Sequence, residues 1–169
     1  MVFERTSQIV DTKLANLELH IPYTLWKTEC AETFVDEYKR HIVLNPNDRK
    51  SKVLAQQSIQ HLLMHELGHI FVLKFIKRAI KNDPEFKALF GDLTKAYRRK
   101  LLRIRTSRDF ISNYAQSHPE ENFCEVFAVY CGHEGKIRKV YKHLKKLKKS
   151  HKVWKQVYWM HKFVKNLKR

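Results

Sequence analysis

The sequence predicts a small α+β domain that is mostly helical and carries a short, antiparallel-rich sheet. Segments 17–21 and 41–44 have strand patterns, and residues 52–80 have the apolar spacing of a long helix. The chain also holds only four glycines and four prolines, which argues against a turn-dense all-β fold. A length of 169 residues with 43% hydrophobic content suits one domain with a single core.

Two strands are expected in the first third of the chain. Residues 17–21, Leu-Glu-Leu-His-Ile, alternate apolar and polar side chains, as a half-buried strand does. Residues 41–44 include β-branched Ile42 and Val43 and are followed by Asn-Pro-Asn-Asp, a cluster of turn residues. We therefore expect a second strand that ends at Leu44.

Three helices are expected in the middle of the chain. The first covers residues 52–80 and is stopped by Asn82, Asp83 and Pro84. The second covers residues 92–104, where basic and apolar positions alternate. The third begins at Pro119, is followed by acidic residues that suit the helix dipole, and runs to Gly132.

Positive charge dominates the second half of the sequence. The chain has 34 Lys and Arg against 17 Asp and Glu, a net charge of +17. Apolar stripes at 137–147 and 154–164 predict amphipathic helices with one packed face. We expect a domain over residues 1–135 and a basic helical extension over 136–169 packed on it. Such a charge favours nucleic acid or another polyanion, an anionic membrane surface or an acidic protein as a partner.

The cysteines and the N-terminus predict a cytoplasmic protein. Three cysteines without a CxxC pair are typical of a reducing compartment. The first residues show no charged stretch followed by an apolar run, so no signal peptide is expected. No segment approaches the roughly 18 uninterrupted apolar residues of a membrane span.

The main chemical motif is the HExxH of residues 65–69, inside the long apolar helix. Because His65 and His69 are four residues apart, they project from one helix face and can reach one tetrahedral Zn²⁺. Glu66 is placed to take a proton from a zinc-bound water. Gly68 costs about 1 kcal/mol in a helix interior, which indicates close packing of another element against it. The motif predicts a zinc site.

A catalytic zinc usually has three protein ligands, and the third is expected from the acidic start of the third helix. The candidates are Glu120, Glu121 and Glu125. Glu121 and Glu125 are four residues apart and share a face, whereas Glu120 is expected to point elsewhere. One of the pair would bind zinc, and the other would accept a hydrogen bond from a zinc-bound imidazole.

Residues 114–127, Tyr-Ala-Gln-Ser-His-Pro-Glu-Glu-Asn-Phe-Cys-Glu-Val-Phe, resemble the second motif of the gluzincin peptidases. The likeness is to the catalytic domain of anthrax lethal factor and the Pro-Pro endopeptidases, and the size is that of the minigluzincins. In these families a tyrosine precedes, by seven residues, a zinc-binding glutamate within E-x-F-x-E-x-F. In this sequence Tyr114 and Glu121 have that separation, and Cys124 stands where the motif usually has Ala.

The resemblance implies a zincin-like fold and assigns a role to each matching residue. His65, His69 and Glu121 would bind zinc. Glu66 would be the general base. Tyr114 would stabilise the oxyanion, and Glu125 would support a zinc-bound imidazole.

The resulting hypothesis is a zinc-dependent endopeptidase that acts on a protein or peptide substrate. The strand that ends at Leu44 is expected to be a sheet edge that pairs with the extended substrate. One alternative is a basic nucleic-acid-binding protein with a structural or degenerate zinc site, which the charge of +17 favours. Another is a regulatory peptidase of the ImmA/IrrE type that cleaves a DNA-binding repressor, although such proteins usually have less separation between the two motifs.

Overall fold

The structure is a computed structural model, and it describes part of the chain. The backbone is described for residues 6–14, 17–25, 34–36, 41–44, 59–72, 83–96 and 107–166, and side chains for 61–72, 83–96 and 107–166. The described helices are α1 (Ile59–Phe71), α2 (Pro84–Leu89), α3 (Pro119–Gly132), α4 (Ile137–Lys146) and α5 (His151–Asn166), with a 3₁₀ turn at Tyr114–Gln116. Among these residues no helix has the length and apolar character needed to cross a membrane.

Helices α1 and α3 pack closely at Gly68. A Cβ built on Gly68 would lie 3.0 Å from the Cα of Cys124 and 3.1 Å from its sulfur. One turn further along each helix, the rings of Phe71 and Phe127 lie 5.0 Å apart, centroid to centroid. The glycine expected from the sequence to have a packing role therefore has one, because any side chain at position 68 would push the helices apart.

An aromatic cluster joins α2, α3 and α5. Phe86 and Phe90 stack with ring centroids 4.9 Å apart. Trp159 of α5 contacts both rings edge-on, at 5.4 and 5.5 Å. Phe123 of α3 lies 5.6 Å from Phe90. All four side chains are buried, so helix-on-helix packing builds the core of this part of the protein.

The last two helices bury much of their apolar stripes. Tyr158 and Leu147 remain 51% and 47% exposed, whereas Trp159 belongs to the aromatic cluster. The stripe residues with no exposed surface are Val140 and Leu144 of α4 and Val153, Val157 and Val164 of α5. Helix α5 thus packs into the same core as α2 and α3, while the division of the chain at residue 135 stays a prediction.

Four strands precede the helices and are described at the level of the backbone. They are β1 (Thr6–Leu14), β2 (Leu17–Leu25), β3 (Phe34–Asp36) and β4 (His41–Leu44), in the sheet order β1-β2-β4-β3. The β1–β2 and β3–β4 pairs are antiparallel, and β2–β4 is parallel.

The predicted α+β class is wrong for the part of the protein whose side chains are described. That part is 71% helical, and none of its residues lies in a strand. Its described helices pack their apolar faces against one another. The core is helical, and the HExxH segment belongs to it.

Strand β4 is not the sheet edge that was expected to pair with a substrate. Its Val43 lies opposite Thr24 of β2 on one side and Phe34 of β3 on the other. Both hydrogen-bonding sides of this short strand are therefore occupied by the chain itself.

Two helix predictions also need correction. Residues 92–96 form turns instead of starting a helix, and the Asp92 carboxylate accepts the backbone N–H of Thr94 at 3.0 Å. Helix α2 is missed because Asp83 and Pro84 are interpreted as a stop. Asp83 instead caps a new helix by accepting the N–H of Glu85 at 2.8 Å. Residues 52–58, 73–80 and 97–104 of the predicted helices lie outside the described residues.

Gly68→Ala should destabilise the protein, because the added methyl group would meet the backbone of Cys124. We expect the free energy of unfolding to fall by about 1–3 kcal/mol, as for other overpacked sites, measured by urea denaturation. Gly132→Ala is the control, because no atom lies within 4 Å of a Cβ at that position. It should be neutral or stabilising, and an equal loss in both variants would contradict the packing role of Gly68.

Candidate metal centre

Two histidines of α1 face the first turns of α3. His65 is buried and His69 is partly buried, and their ring centroids are 5.1 Å apart, as expected for residues one helical turn apart. Gly68 directly precedes His69 in the chain. The close approach of the helices at Gly68 therefore brings the acidic residues of α3 within reach of both rings.

The start of α3 is fixed by His118. Its Nδ1 accepts the backbone N–H of Glu120 at 3.2 Å, and its Nε2 donates to the carbonyl oxygen of Lys95 at 2.7 Å. Pro119 follows at the first helical position, where its missing N–H costs nothing. This cap sets where the acidic first turn begins and thus where its carboxylates lie relative to α1.

The Glu121 carboxylate lies between the two histidines. Its Oε2 is 3.0 Å from the Nε2 of His65 and 3.4 Å from the Nε2 of His69. Glu121 is itself buried at 4% exposure. Three electron-pair donors from two helices therefore converge on one point inside the protein.

The other nitrogen of each ring faces a different carboxylate. The Nδ1 of His65 is 2.7 Å from Oε1 of Glu125, and the Nδ1 of His69 is 3.0 Å from Oε1 of Glu120. A neutral imidazole has a single N–H. If each Nδ1–H donates to its carboxylate, both Nε2 atoms direct lone pairs at an oxygen of Glu121, and a cation must lie between them.

The two distances from Glu121 to the histidine nitrogens are compatible with zinc ligation. Zinc–ligand bonds of about 2.0–2.1 Å in a tetrahedron place neighbouring ligand atoms about 3.3 Å apart. The observed separations of 3.0 and 3.4 Å from Glu121 to the two nitrogens are close to that edge length. In the absence of a metal, a proton on each imidazole is the alternative way to satisfy the same contacts.

The histidines and carboxylates shift each other's pKa in the metal-free protein. Burial favours neutral His65, but its hydrogen bonds to Glu121 and Glu125 outweigh burial and raise its pKa well above the usual value. Burial likewise opposes charge on Glu121, yet hydrogen bonds from His65 and His69 hold the pKa of Glu121 far below its ordinary range. Metal-free, the cluster is a buried set of ion pairs.

Comparison with known protein families places the chain in a class. The Peptidase_Mx family model, which describes zinc-binding metallo-peptidases, matches residues 55–164. This span covers more than half of the chain and includes the HExxH helix and α3. The chain belongs to this family. Neither a curated protein nor a solved structure gives a significant match.

Family membership confirms two predictions at the level of the family. The first is that the protein is a peptidase, and the second is that its cofactor is zinc. The finer assignment to the gluzincin type is not part of that match.

Cys124 is a candidate ligand of this metallo-peptidase that sequence reasoning missed. Three possible ligand atoms lie within 4.8 Å of one another, one each from Cys124, His65 and His69. The residue is fully buried, and burial raises the pKa of its thiol. The available signal was its position three residues after Glu121, on the same side of α3. In the motif comparison it was interpreted only as a substitute for Ala.

Helical phase predicted that Glu120 points away from the site, and this prediction is wrong. The Glu120 carboxylate reaches His69, because His69 lies at the C-terminal end of α1 and beside the first turn of α3. His61 also approaches the cluster, with its Nε2 3.4 Å from Oε1 of Glu125. All three glutamates at the start of α3 thus contact a histidine of α1.

The two residues predicted to act in catalysis lie beside the same histidines. Glu66 follows His65 in α1 and is buried at 7% exposure, and burial raises the pKa of its carboxyl group. The ring of Tyr114, in the 3₁₀ turn, is tilted 52° to the ring of His65, with centroids 5.6 Å apart. The turn before α3 therefore carries the tyrosine to α1.

The contribution of this cluster to the stability of the metal-free protein should be largest in mildly acidic solution. The raised pKa of His65 stabilises the fold fully below its ordinary value of 6.5, and this contribution is lost as the pH rises. The lowered pKa of Glu121 stabilises it above the ordinary value of 4.5, and this is lost as the pH falls. Melting temperatures of chelator-treated protein across pH should show a maximum between these values. Glu121→Gln should flatten that maximum, and an unchanged profile would argue against the ion pairs.

Proposed function

We propose that this protein is a zinc-dependent endopeptidase of the gluzincin type, with His65, His69 and Glu121 as zinc ligands. The supporting observation is the position of Glu121 Oε2, 3.0 and 3.4 Å from the two Nε2 atoms. Membership of a zinc-binding metallo-peptidase family supports the reaction class.

Two further glutamates orient the ligands. Glu125 accepts the Nδ1–H of His65, and Glu120 accepts the Nδ1–H of His69. A carboxylate at this nitrogen fixes the tautomer and makes the opposite nitrogen a stronger donor to the metal. Both imidazoles are therefore held with Nε2 lone pairs aimed at the same point.

Hydrolysis of a peptide bond would use Glu66 and Tyr114 together with the metal. Bound zinc supplies a Lewis acid that polarises the scissile carbonyl and lowers the pKa of water toward about 7. Glu66 accepts a proton from the attacking water and transfers it to the leaving nitrogen. Its burial raises its proton affinity, which suits a group that must hold the proton briefly. Tyr114 donates its hydroxyl hydrogen to the oxyanion, a contact worth about 10²–10³ in rate.

A second candidate function has one specific observation in its favour. Cys124 lies within 4.8 Å of both histidines, counted between donor atoms. With Glu121 it would complete four protein ligands, the number typical of a closed structural zinc site. Such a site would suit a basic binding protein rather than a peptidase, so whether Cys124 binds the zinc separates the two functions.

Zinc analysis of alanine variants should identify Glu121 as the third ligand. We expect about one zinc per chain in the native protein, loss of zinc in His65→Ala and His69→Ala, and the largest loss among the acidic variants in Glu121→Ala. Glu120→Ala should weaken zinc affinity only about 10–100-fold, because Glu120 acts on the metal through His69. Affinities come from competition with a chromophoric chelator.

Cys124→Ala is the matched control on the same helix. It should keep native zinc affinity, because the thiol is not required in the proposed ligand set. Loss of zinc in both Cys124→Ala and Glu121→Ala would favour the closed four-ligand site. Loss in Cys124→Ala alone would replace the proposed set by two histidines and a cysteine. A native protein without zinc would refute the proposed function altogether.

Glu66→Gln should retain zinc and the native fold yet abolish cleavage, because an amide cannot accept the proton of water. Cleavage is measured with a library of fluorescence-quenched peptides, and zinc content and melting temperature are measured on the same samples. Glu134→Gln removes an exposed carboxylate and should leave activity unchanged. Full activity of Glu66→Gln would exclude Glu66 as the general base.

A further inference from the structure

A groove separate from the metal centre lies between α2, α4 and α5. Its volume is about 520 Å³, and no residue of the metal centre lines it. Tyr141, Trp154 and Tyr158 supply its aromatic surface, and Lys155 and Lys162 supply positive charge. Neither the zinc site nor the proposed peptidase chemistry uses these side chains.

One aromatic side chain of the groove, Tyr158, is exposed, whereas Tyr141 and Trp154 are half-buried. Tyr158 is 51% exposed, whereas the adjacent Trp159 is buried in the aromatic cluster at 5%. The rings of Tyr141 and Trp154 lie 4.2 Å apart, centroid to centroid, and tie α4 to α5. Trp159 therefore serves packing, while about half of Tyr158 is accessible to solvent.

One lysine lies over this exposed ring. The Nζ of Lys162 lies 5.4 Å from the centroid of the Tyr158 ring, and Lys155 lines the same groove. Glu85, an acidic residue in the lining, forms an ion pair with Lys162, with 3.3 Å between Oε1 and Nζ. Residues 135–169 contain no Asp or Glu, so α4 and α5 carry no acidic side chain and Glu85 of α2 is the acidic residue in the lining.

We propose that this groove binds single-stranded nucleic acid. Unpaired bases stack on exposed aromatic rings, and the adjacent phosphates bind lysines, without any need for a particular base sequence. The bases of a duplex are not available for such stacking. An extended peptide is a poorer match, because the groove lies between helices and offers no strand edge for main-chain hydrogen bonds. The inference goes beyond the proposed peptidase function and does not depend on it.

The test is fluorescence anisotropy of a labelled oligothymidylate with the full-length, zinc-loaded protein. Tyr158→Ala should weaken binding about tenfold, in the range expected for removal of one stacked base, and Tyr158→Phe should restore it. Because Tyr158 is exposed, Tyr158→Ala should keep the native melting temperature.

The lysines are tested through the salt dependence. Lys155→Gln combined with Lys162→Gln should reduce the slope of log K against log salt by about 0.7 for each phosphate that the lysines no longer neutralise. Lys139→Gln combined with Lys145→Gln removes the same charge from exposed positions of α4 that do not line the groove. This control pair should weaken binding less than the groove pair does. Adding Tyr158→Ala to the control pair should weaken its binding about tenfold, as in the native protein.

Several results would overturn the proposal. They are absence of binding at low salt, equal affinity of Tyr158→Ala and the native protein, or equally weakened binding in the two lysine pairs. If heparin or anionic phospholipid vesicles displace the labelled oligothymidylate as well as unlabelled oligothymidylate does, the groove is a general polyanion surface. Displacement by an acidic peptide would indicate a protein partner. Zinc content and peptide cleavage should be native in every groove variant, so this proposal and the proposed function fail independently.

Discussion

The close contact between α1 and α3 at Gly68 and Cys124 is the constraint on which the candidate site depends. A Cβ built on Gly68 would lie only 3.0 Å from the Cα of Cys124. Any residue larger than glycine at this position would therefore separate the two helices. One residue beyond Gly68 lies His69, and one residue beyond Cys124 lies Glu125. Contacts of 2.7–3.4 Å between the imidazoles and the carboxylates follow from this separation of the helix axes.

The buried polar cluster has to be balanced within itself, because the surrounding core is apolar. Burial opposes charge on His65 and Glu121 alike. Hydrogen bonds within the cluster, from His65 to Glu121 and Glu125 and from His69 to Glu121, favour the charged forms in the metal-free protein. A zinc ion would take over this balance, since neutral imidazoles and carboxylates are the forms that bind it. The same contacts therefore serve the fold without metal and the proposed chemistry with it.

The described part of the protein separates two surfaces of different chemistry. Acidic residues of α3 are directed inward at α1, whereas α4 and α5 carry most of the lysines on the outside and use one apolar face for the core. Trp159 illustrates the arrangement, because it joins α5 to the aromatic cluster while its neighbour Tyr158 lies in the exposed groove. A large positive charge is thereby compatible with an acidic, buried candidate metal centre.

Residue types and their spacing were enough to predict the chemistry of the candidate site. Spacing within the HExxH places His65 and His69 on one helical face, and the glycine between them indicates close packing, because both follow from local helix geometry. Pro119 and the acids after it likewise place the start of α3, and apolar periodicity places α4 and α5.

Which carboxylate meets which nitrogen depends on how α1 and α3 pack against each other. Helical phase alone directed Glu120 away from the site, yet its side chain reaches His69 because the C-terminal end of α1 lies beside that turn. The proximity of Cys124 to both histidines, the helical character of the core and the internal position of β4 depend on how distant segments pack. Local patterns carry no information on those long-range contacts, since one amphipathic face can be covered by a helix or by a sheet equally well.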